Sequence, residues 1–413
     1  MSAELQVRAM LTRRRSLAGL LATTAVFVAG CSNSSNIFSS NPSLFSNTPA
    51  ASAAGAPDQS AQATIGTGQV KVGLILPLSA GGNAGLAGQA MRNAADMALA
   101  EFNAPNVQLL VKDDAGSADA ARAGAQQALD EGAEIILGPL FAQSVSAVGQ
   151  ITRPRNIPII AFSTDANVAS SGIYLLSFLP ESDVQRIVQY ASSTGKRSYA
   201  ALMPDNPYGS VVEAAFRQDV ARRGGQIVVL EHYAHDKGAM AAPVRTVAQA
   251  ATRADALFIP DGGDAVPDVV QMLVGDGLNT KKIQLLGTGL WDDPRITSTP
   301  ALDGGWYAAP DGAGFRSFSA RYRSRYNQEP ARTSTLAYDA VALVAALVKT
   351  QPDPQQRFSQ TVLTNPSGFT GIDGLFRFRP DGTNERGLAV LRVTQSGSQI
   401  IAPPPRSFGT SGI

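Results

Sequence analysis

The stretch Val70-Lys71-Val72-Gly73-Leu74-Ile75-Leu76-Pro77-Leu78-Ser79 reads as a strand and its exit turn. Residues 70–76 are almost uninterrupted apolar side chains, the pattern of a short strand buried on both faces. Pro77 ends it, and a glycine-rich turn follows at 79–85. An Ala-rich helix is expected at 87–102. The same alternation then repeats. Strands are predicted at 107–111, 135–137 and 157–162, with helices at 118–131 and 143–153 between them. Asp113-Asp114 stops the second strand and Gly138-Pro139 the third. Repeated strand–helix–strand units build a parallel sheet with helices on both faces.

The pattern restarts downstream. Strands are expected at 199–203, 226–231, 256–259 and 283–286, with helices at 211–223, 241–253 and 265–276. Two α/β lobes of similar layout result. An apolar helix is expected at 335–349, and a closing hairpin from 376–378 to 388–393 around Pro380-Asp381-Gly382. These pieces are too small for a third domain and must pack on the lobes.

Composition narrows the function. The chain has 413 residues, of which 44% are hydrophobic and 16% charged, enough for a sizeable core. Lys+Arg at 34 against Asp+Glu at 33 gives a net charge of +1. That balance points away from a nucleic-acid partner. One cysteine and two histidines leave no disulfide framework and little for a metal site. No catalytic residues, cofactor or metal are expected. Gly81, Gly82, Gly85 and Gly88 lack the spacing of a dinucleotide loop. His232 and His235 read as a surface loop. Arg316, Arg321, Arg323 and Arg325 alternate with Phe315, Phe318, Tyr322 and Tyr326. This is a helix with rings inward and charges outward, or else a docking face.

The N-terminus is an address. Arg13, Arg14 and Arg15 precede an apolar run of about a dozen residues, too short for a membrane-spanning helix. The run ends Val28-Ala29-Gly30-Cys31, which resembles the lipobox of bacterial lipoproteins. That resemblance implies a signal peptide at 1–30, lipidation of Cys31 and attachment to a bacterial membrane on the periplasmic side. Ser32 follows where an Asp often retains lipoproteins in the inner membrane, so the outer membrane is favoured. Residues 31–68, rich in Ser, Asn, Ala and Gly, read as a flexible linker.

From 69 to 400 the chain resembles the type I periplasmic binding proteins of the leucine/isoleucine/valine class. The resemblance rests on the opening strand, Asp113-Asp114, Ile136-Leu137-Gly138-Pro139, Tyr208-Gly209 and Phe369-Thr370-Gly371-Ile372-Asp373-Gly374, in that order. It implies two lobes joined by three crossovers near Ser182, Tyr307 and Gln351. Lobe one would be 69–182 with 308–350, lobe two 183–307 with 351–400, and 401–413 a tail. It also implies a small polar, amino-acid-like ligand in the cleft and an ABC permease as partner. Candidate ligand residues are Ser79, Gln143, Ser144, Ser163, Thr164, Asp165, Tyr208, Asp261 and Trp291, with Tyr208 and Trp291 as ring contacts over a ligand. The family's acidic partner for a substrate ammonium falls near Gly289, where no acid stands. Gly138-Pro139-Leu140 and the lipid anchor also resemble the penicillin-binding-protein activator lipoproteins, which implies a peptidoglycan synthase as alternative partner.

Overall fold

The computed structural model describes residues 64–102 and 105–408. The signal segment, Cys31 and the linker as far as residue 63 lie outside the described residues. In chain order the first sheet collects β1 (Thr64–Ile65), β2 (Val70–Leu76), β3 (Val107–Asp113), β4 (Ile135–Leu137), β5 (Ile159–Ala161) and β6 (Ile173–Leu175). Helices α1 (Gly82–Glu101), α2 (Ala118–Asp130) and α3 (Ala142–Thr152) connect β2 to β5. The strand order is β1-β3-β2-β4-β5-β6, parallel apart from β1, which runs antiparallel to β3.

The second unit opens with α4 (Pro180–Ser193), followed by β7 (Ser198–Pro204), α5 (Pro207–Arg222), β8 (Gln226–Tyr233), α6 (Lys237–Ala250) and β9 (Ala256–Phe258). Then come α7 (Val266–Gly275), β10 (Gln284–Gly287), α8 (Pro294–Thr297) and β11 (Trp306–Ala309). The chain returns to the first lobe through α9 (Gly312–Tyr326), α10 (Ser334–Thr350), α11 (Gln360–Leu363) and a small sheet of β12 (Phe369–Gly371), β13 (Gly374–Phe378) and β14 (Asn384–Arg386). It ends in the second lobe with β15 (Ala389–Thr394) and β16 (Gly397–Ala402). The second sheet has the order β16-β15-β11-β10-β9-β7-β8. Its β7 to β11 pairs are parallel, and β15 and β16 close the edge antiparallel.

The two parallel sheets flanked by helices match the fold expected from the sequence. Several local readings change. Thr64 and Ile65, placed in the linker by composition, pair with Leu110 and Leu109. Helix α1 already begins at Gly82, whose φ of +61° suits glycine. The strands β6 and β16 were not anticipated, and β16 carries the body to Ala402, into the expected tail.

The expected closing hairpin is two different structures. β13 pairs with the nearby β14, Phe376 opposite Arg386, while β15 joins β11 of the second lobe. This moves the third crossover from Gln351 to Gly387 and Leu388, between β14 and β15. The reason is packing. Phe358, Leu363, Phe376 and Phe378 belong to the first lobe's core, with Tyr174, Leu336 and Val341. The other crossovers lie at 176–179, between β6 and α4, and at 310–311, between β11 and α9.

Phe378 is 1% exposed and tilts against Tyr174 with ring centroids 5.5 Å apart. Phe378→Ala is expected to destabilise the protein by about 3–5 kcal/mol through the cavity it leaves. Denaturant unfolding checks this; a loss under about 1 kcal/mol would place residues 351–386 outside the first core.

Candidate functional site

Loops beyond the carboxyl ends of the strands carry the polar side chains, the usual ligand position of an open α/β sheet. In the first lobe, Ser79 is exposed beyond β2, and its backbone N–H donates to Asp113 Oδ1 at 3.2 Å. Partial burial raises the Asp113 carboxyl, but donors from Ser79, Ala115 and Leu78 outweigh it and hold the group below its ordinary range. Beyond β4, Gly138 adopts φ +85°, and a Cβ there would stand 2.1 Å from the Ile75 carbonyl oxygen. No other residue fits that turn. It delivers the chain into α3, where Gln143 is exposed and donates to the Gly116 carbonyl at 3.5 Å.

Ser144 is not open to a ligand. It is completely buried in the first turn of α3 and faces Asp114, also completely buried. Asp114 Oδ1 accepts from the Gly116 N–H at 2.9 Å. Burial pushes the Asp114 carboxyl up to about 6, with the Asp113 charge adding and the Gly116 N–H opposing. Beyond β5, Ser163 is buried and its hydroxyl accepts from the Asp165 N–H at 3.1 Å. Thr164 and Asp165 are half-buried, and Asp165 Oδ1 caps a short turn through the Asn167 N–H at 3.0 Å.

In the second lobe, Asn206 caps α5 and positions Tyr208. Tyr208 is 8% exposed, and its hydroxyl shares a 2.8 Å hydrogen bond with Thr288 Oγ1. Asp261, beyond β9, accepts from Tyr233 Oη at 2.6 Å and the Gly262 N–H at 2.8 Å, and pairs with His235 Nε2 at 2.7 Å. His232 instead pairs with Glu213 at 2.6 Å, so the two histidines serve different carboxylates. Trp291 is a core residue and not a ring over the cleft. It has no exposed surface, packs in the second core and donates from Nε1 to the Ile259 carbonyl at 3.0 Å.

Two acids escaped the sequence reading. Asp183 Oδ2 accepts from the Gly289 N–H at 2.8 Å, and a Cβ on Gly289 would stand 3.0 Å from that oxygen. Asp183 thus brings a carboxylate to the place where Gly289 supplies none. Burial pushes it up to about 7, against the Gly289 hydrogen bond, with Glu181 adding. Glu181 stands one residue inside α4. Both looked like ordinary first-turn acids after Pro180.

Where the crossovers meet, Arg332 and Arg386 each lie 4.6 Å from the centroid of the Phe178 ring. Arg332 pairs with the fully buried Asp373, which also accepts from Thr335 Oγ1 at 2.6 Å. Arg386 Nε and Asn384 Nδ2 both donate to the Ser177 carbonyl, at 2.8 and 2.7 Å. On α9 (Gly312–Tyr326) rings turn inward and the arginines pair at the surface. Phe318 and Tyr322 are fully buried, while Arg321, Arg323 and Arg325 pair with Glu101, Glu329 and Asp96. Among the described residues, no group of three or more His, Cys, Asp or Glu could hold a metal.

This is a two-lobed α/β binding fold with polar loops at the strand ends of both lobes. The chain belongs to the periplasmic binding protein family, whose model matches residues 69–398. A branched-chain amino acid ABC transporter periplasmic ligand-binding protein from Burkholderia xenovorans is 20% identical and covers 83% of this chain and 97% of its own, with a TM-score of 0.66. An ABC transporter substrate-binding protein from Sphaerobacter thermophilus is 22% identical over 82% of this chain and 98% of its own, with a TM-score of 0.65. The penicillin-binding protein activator LpoA of Pantoea ananatis is 27% identical over 109 residues, 26% of this chain and only 16% of that protein.

Asp114 gives a pH test. Its folded pKa lies above its ordinary value of 3.8, so the folded state keeps a proton that the unfolded chain has released. That stabilisation is present below about pH 4 and is lost as pH rises through about 6. Asp114→Asn keeps the acceptor for Gly116 and removes the charge. It is expected to leave stability unchanged at pH 4 and to raise it by roughly 1–3 kcal/mol at pH 8. Urea unfolding at both pH values reads the difference.

Proposed function

We propose that the protein is a lipid-anchored extracytoplasmic solute receptor. It captures an amino acid or related small polar ligand between its lobes and hands it to an ABC importer. The observation that carries this reading is the placement of polar groups at strand ends on both sides of the crossovers, within a chain of the periplasmic binding protein family. A ligand that touches both lobes favours the closed arrangement over the open one by its extra contacts, and three short crossovers let the lobes rotate as bodies. Ser79, Gln143, Thr164 and Asp165 would meet it from the first lobe, and Tyr208, Asp261 and Asp183 from the second. Such a receptor binds and releases without chemistry, so we assign no enzymatic activity. Lipid on Cys31 would hold it at a membrane, the outer one by the Ser32 criterion. No described helix is long and apolar enough to cross a membrane.

A second reading is favoured by the LpoA match: activation of a peptidoglycan synthase by protein contact. The match spans a small part of LpoA, and the receptor reading covers far more of this chain.

Thermal unfolding of the purified protein against amino acids, aromatic acids and muropeptide fragments separates the two. A solute present at about 100 times its Kd adds about 2.7 kcal/mol, a rise of a few degrees. A rise with one solute class supports the receptor. No rise after unfolding and refolding, with binding to a purified peptidoglycan synthase, supports the activator. Cys31→Ser is expected to move the protein from the membrane fraction to the soluble one; a variant still in the membrane fraction would remove the lipid anchor.

A further inference from the structure

The amino ends of the second lobe's parallel strands gather positive charge. Lys196 and Arg197 lead into β7, Arg222 ends α5 and Arg223 follows it ahead of β8, Arg253 precedes β9 and Lys282 precedes β10. Backbone hydrogen bonds hold these connections side by side. The Gln226 N–H donates to the Arg197 carbonyl at 2.8 Å, and the Gln284 N–H to the Asp255 carbonyl at 3.1 Å. The Asp255 carboxylate accepts from the Arg197 and Ser198 N–H groups at 2.9 Å each. Arg222 pairs at 3.0 Å with Asp219, which is buried. On the adjoining connections, Asp276 pairs with Arg245 and Asp303 with Lys281. The side chains of Lys196, Arg197, Arg223, Arg253 and Lys282 make no ion pair or hydrogen bond with any described residue. Elsewhere among the described residues only Arg316, Lys349 and Arg406 share that condition, one each on α9, α10 and the C-terminal segment.

Arg197, Arg253 and Lys282 are exposed, and Lys196 and Arg223 are half-buried. The exposed residues between them are small or polar, such as Thr194, Gly224 and Thr252. These connections expose no large apolar side chain, so the face lacks the apolar centre that protein interfaces bury. Spread over four connections, the charges suit an array of anions and not one small solute. Guanidiniums take phosphate oxygens in pairs, and lysine meets them as a point charge. A phospholipid surface presents such an array. Each cation within a Debye length of it, about 8 Å at physiological salt, adds to the attraction.

We infer that the amino-end face of the second lobe is an electrostatic docking surface for a membrane of anionic phospholipid. Lys196, Arg197, Arg223, Arg253 and Lys282 meet the headgroup phosphates. This rests on the membrane attachment proposed through Cys31, which would hold headgroups at high local concentration, so that weak contacts count. Tyr208 and Asp261 follow the carboxyl ends of β7 and β9, at the opposite end of the sheet. Membrane contact and ligand entry therefore use different ends of the lobe.

The test is co-sedimentation of the mature chain with vesicles, carrying Cys31→Ser so that no lipid masks the contact. One set of vesicles is phosphatidylcholine alone, the other phosphatidylcholine mixed with phosphatidylglycerol. Binding is expected only to the second set and is expected to fall as salt rises. Arg197→Gln with Arg253→Gln is expected to weaken it at least tenfold. Neither side chain has a partner to lose, so this double variant is expected to melt with the parent. Arg316→Gln with Arg406→Gln removes the same charge elsewhere and is expected to bind as the parent does. The docking surface is overturned if the parent ignores phosphatidylglycerol, if the first double variant binds undiminished, or if both double variants weaken alike. Binding to soluble polyglutamate but not to vesicles overturns it too and points to an acidic protein. None of these results touches the lipid anchor, which fractionation of Cys31→Ser judges, or the receptor reading, which solute binding judges.

Discussion

The carbonyl oxygen of Ser177 is where the lobes are tied together. It lies on the first crossover and accepts from Asn384 Nδ2 and Arg386 Nε, the first and last residues of β14, which leads into the third crossover. One oxygen with two donors sets the spacing of two connecting segments. The Phe178 ring beside it lies against two guanidiniums, Arg332 and Arg386, so the ring and the charges orient each other. Arg332 is held in turn by Asp373, and Asp373 by Thr335 at the start of α10. Removing one member would leave a buried charge uncompensated, which is costly.

The small three-stranded sheet follows from the same constraint. Gly371 and Ile372 run against Asp339 of α10, which accepts from the Ile372 N–H at 2.8 Å. Phe376 and Phe378 point into the first core. Once those rings are buried there, the chain can leave for the second lobe only after Arg386. A β-hairpin reaching straight to 389–394 would have pulled both rings out of the core.

The acids of the first turn of α4 stand in a different balance. At the hinge Arg332 pairs with Asp373, which is held below the usual carboxylate range despite burial, chiefly by Arg332. In the first turn of α4, Glu181 and Asp183 are both raised, first by burial.

The sequence by itself determined the two lobes. Apolar runs such as Val70–Leu76 must be buried on both faces, and helices between them force parallel pairing. The strand ends, the Gly138 turn and the α9 rings pointing inward were legible for the same reason: each depends on residues close together in the chain. Candidate positions such as Ser79, Thr164, Asp165 and Asp261 were legible because they follow strands. Only the tertiary structure decided which of them face outward. Ser144 and Trp291 have suitable chemistry but lie inside their lobes, because helix α3 and the second core close over them. Asp183 beside Gly289, and Asn384 and Arg386 on Ser177, join residues far apart in sequence. No local pattern encodes such pairs; they exist because the packed sheets bring the crossovers to one place.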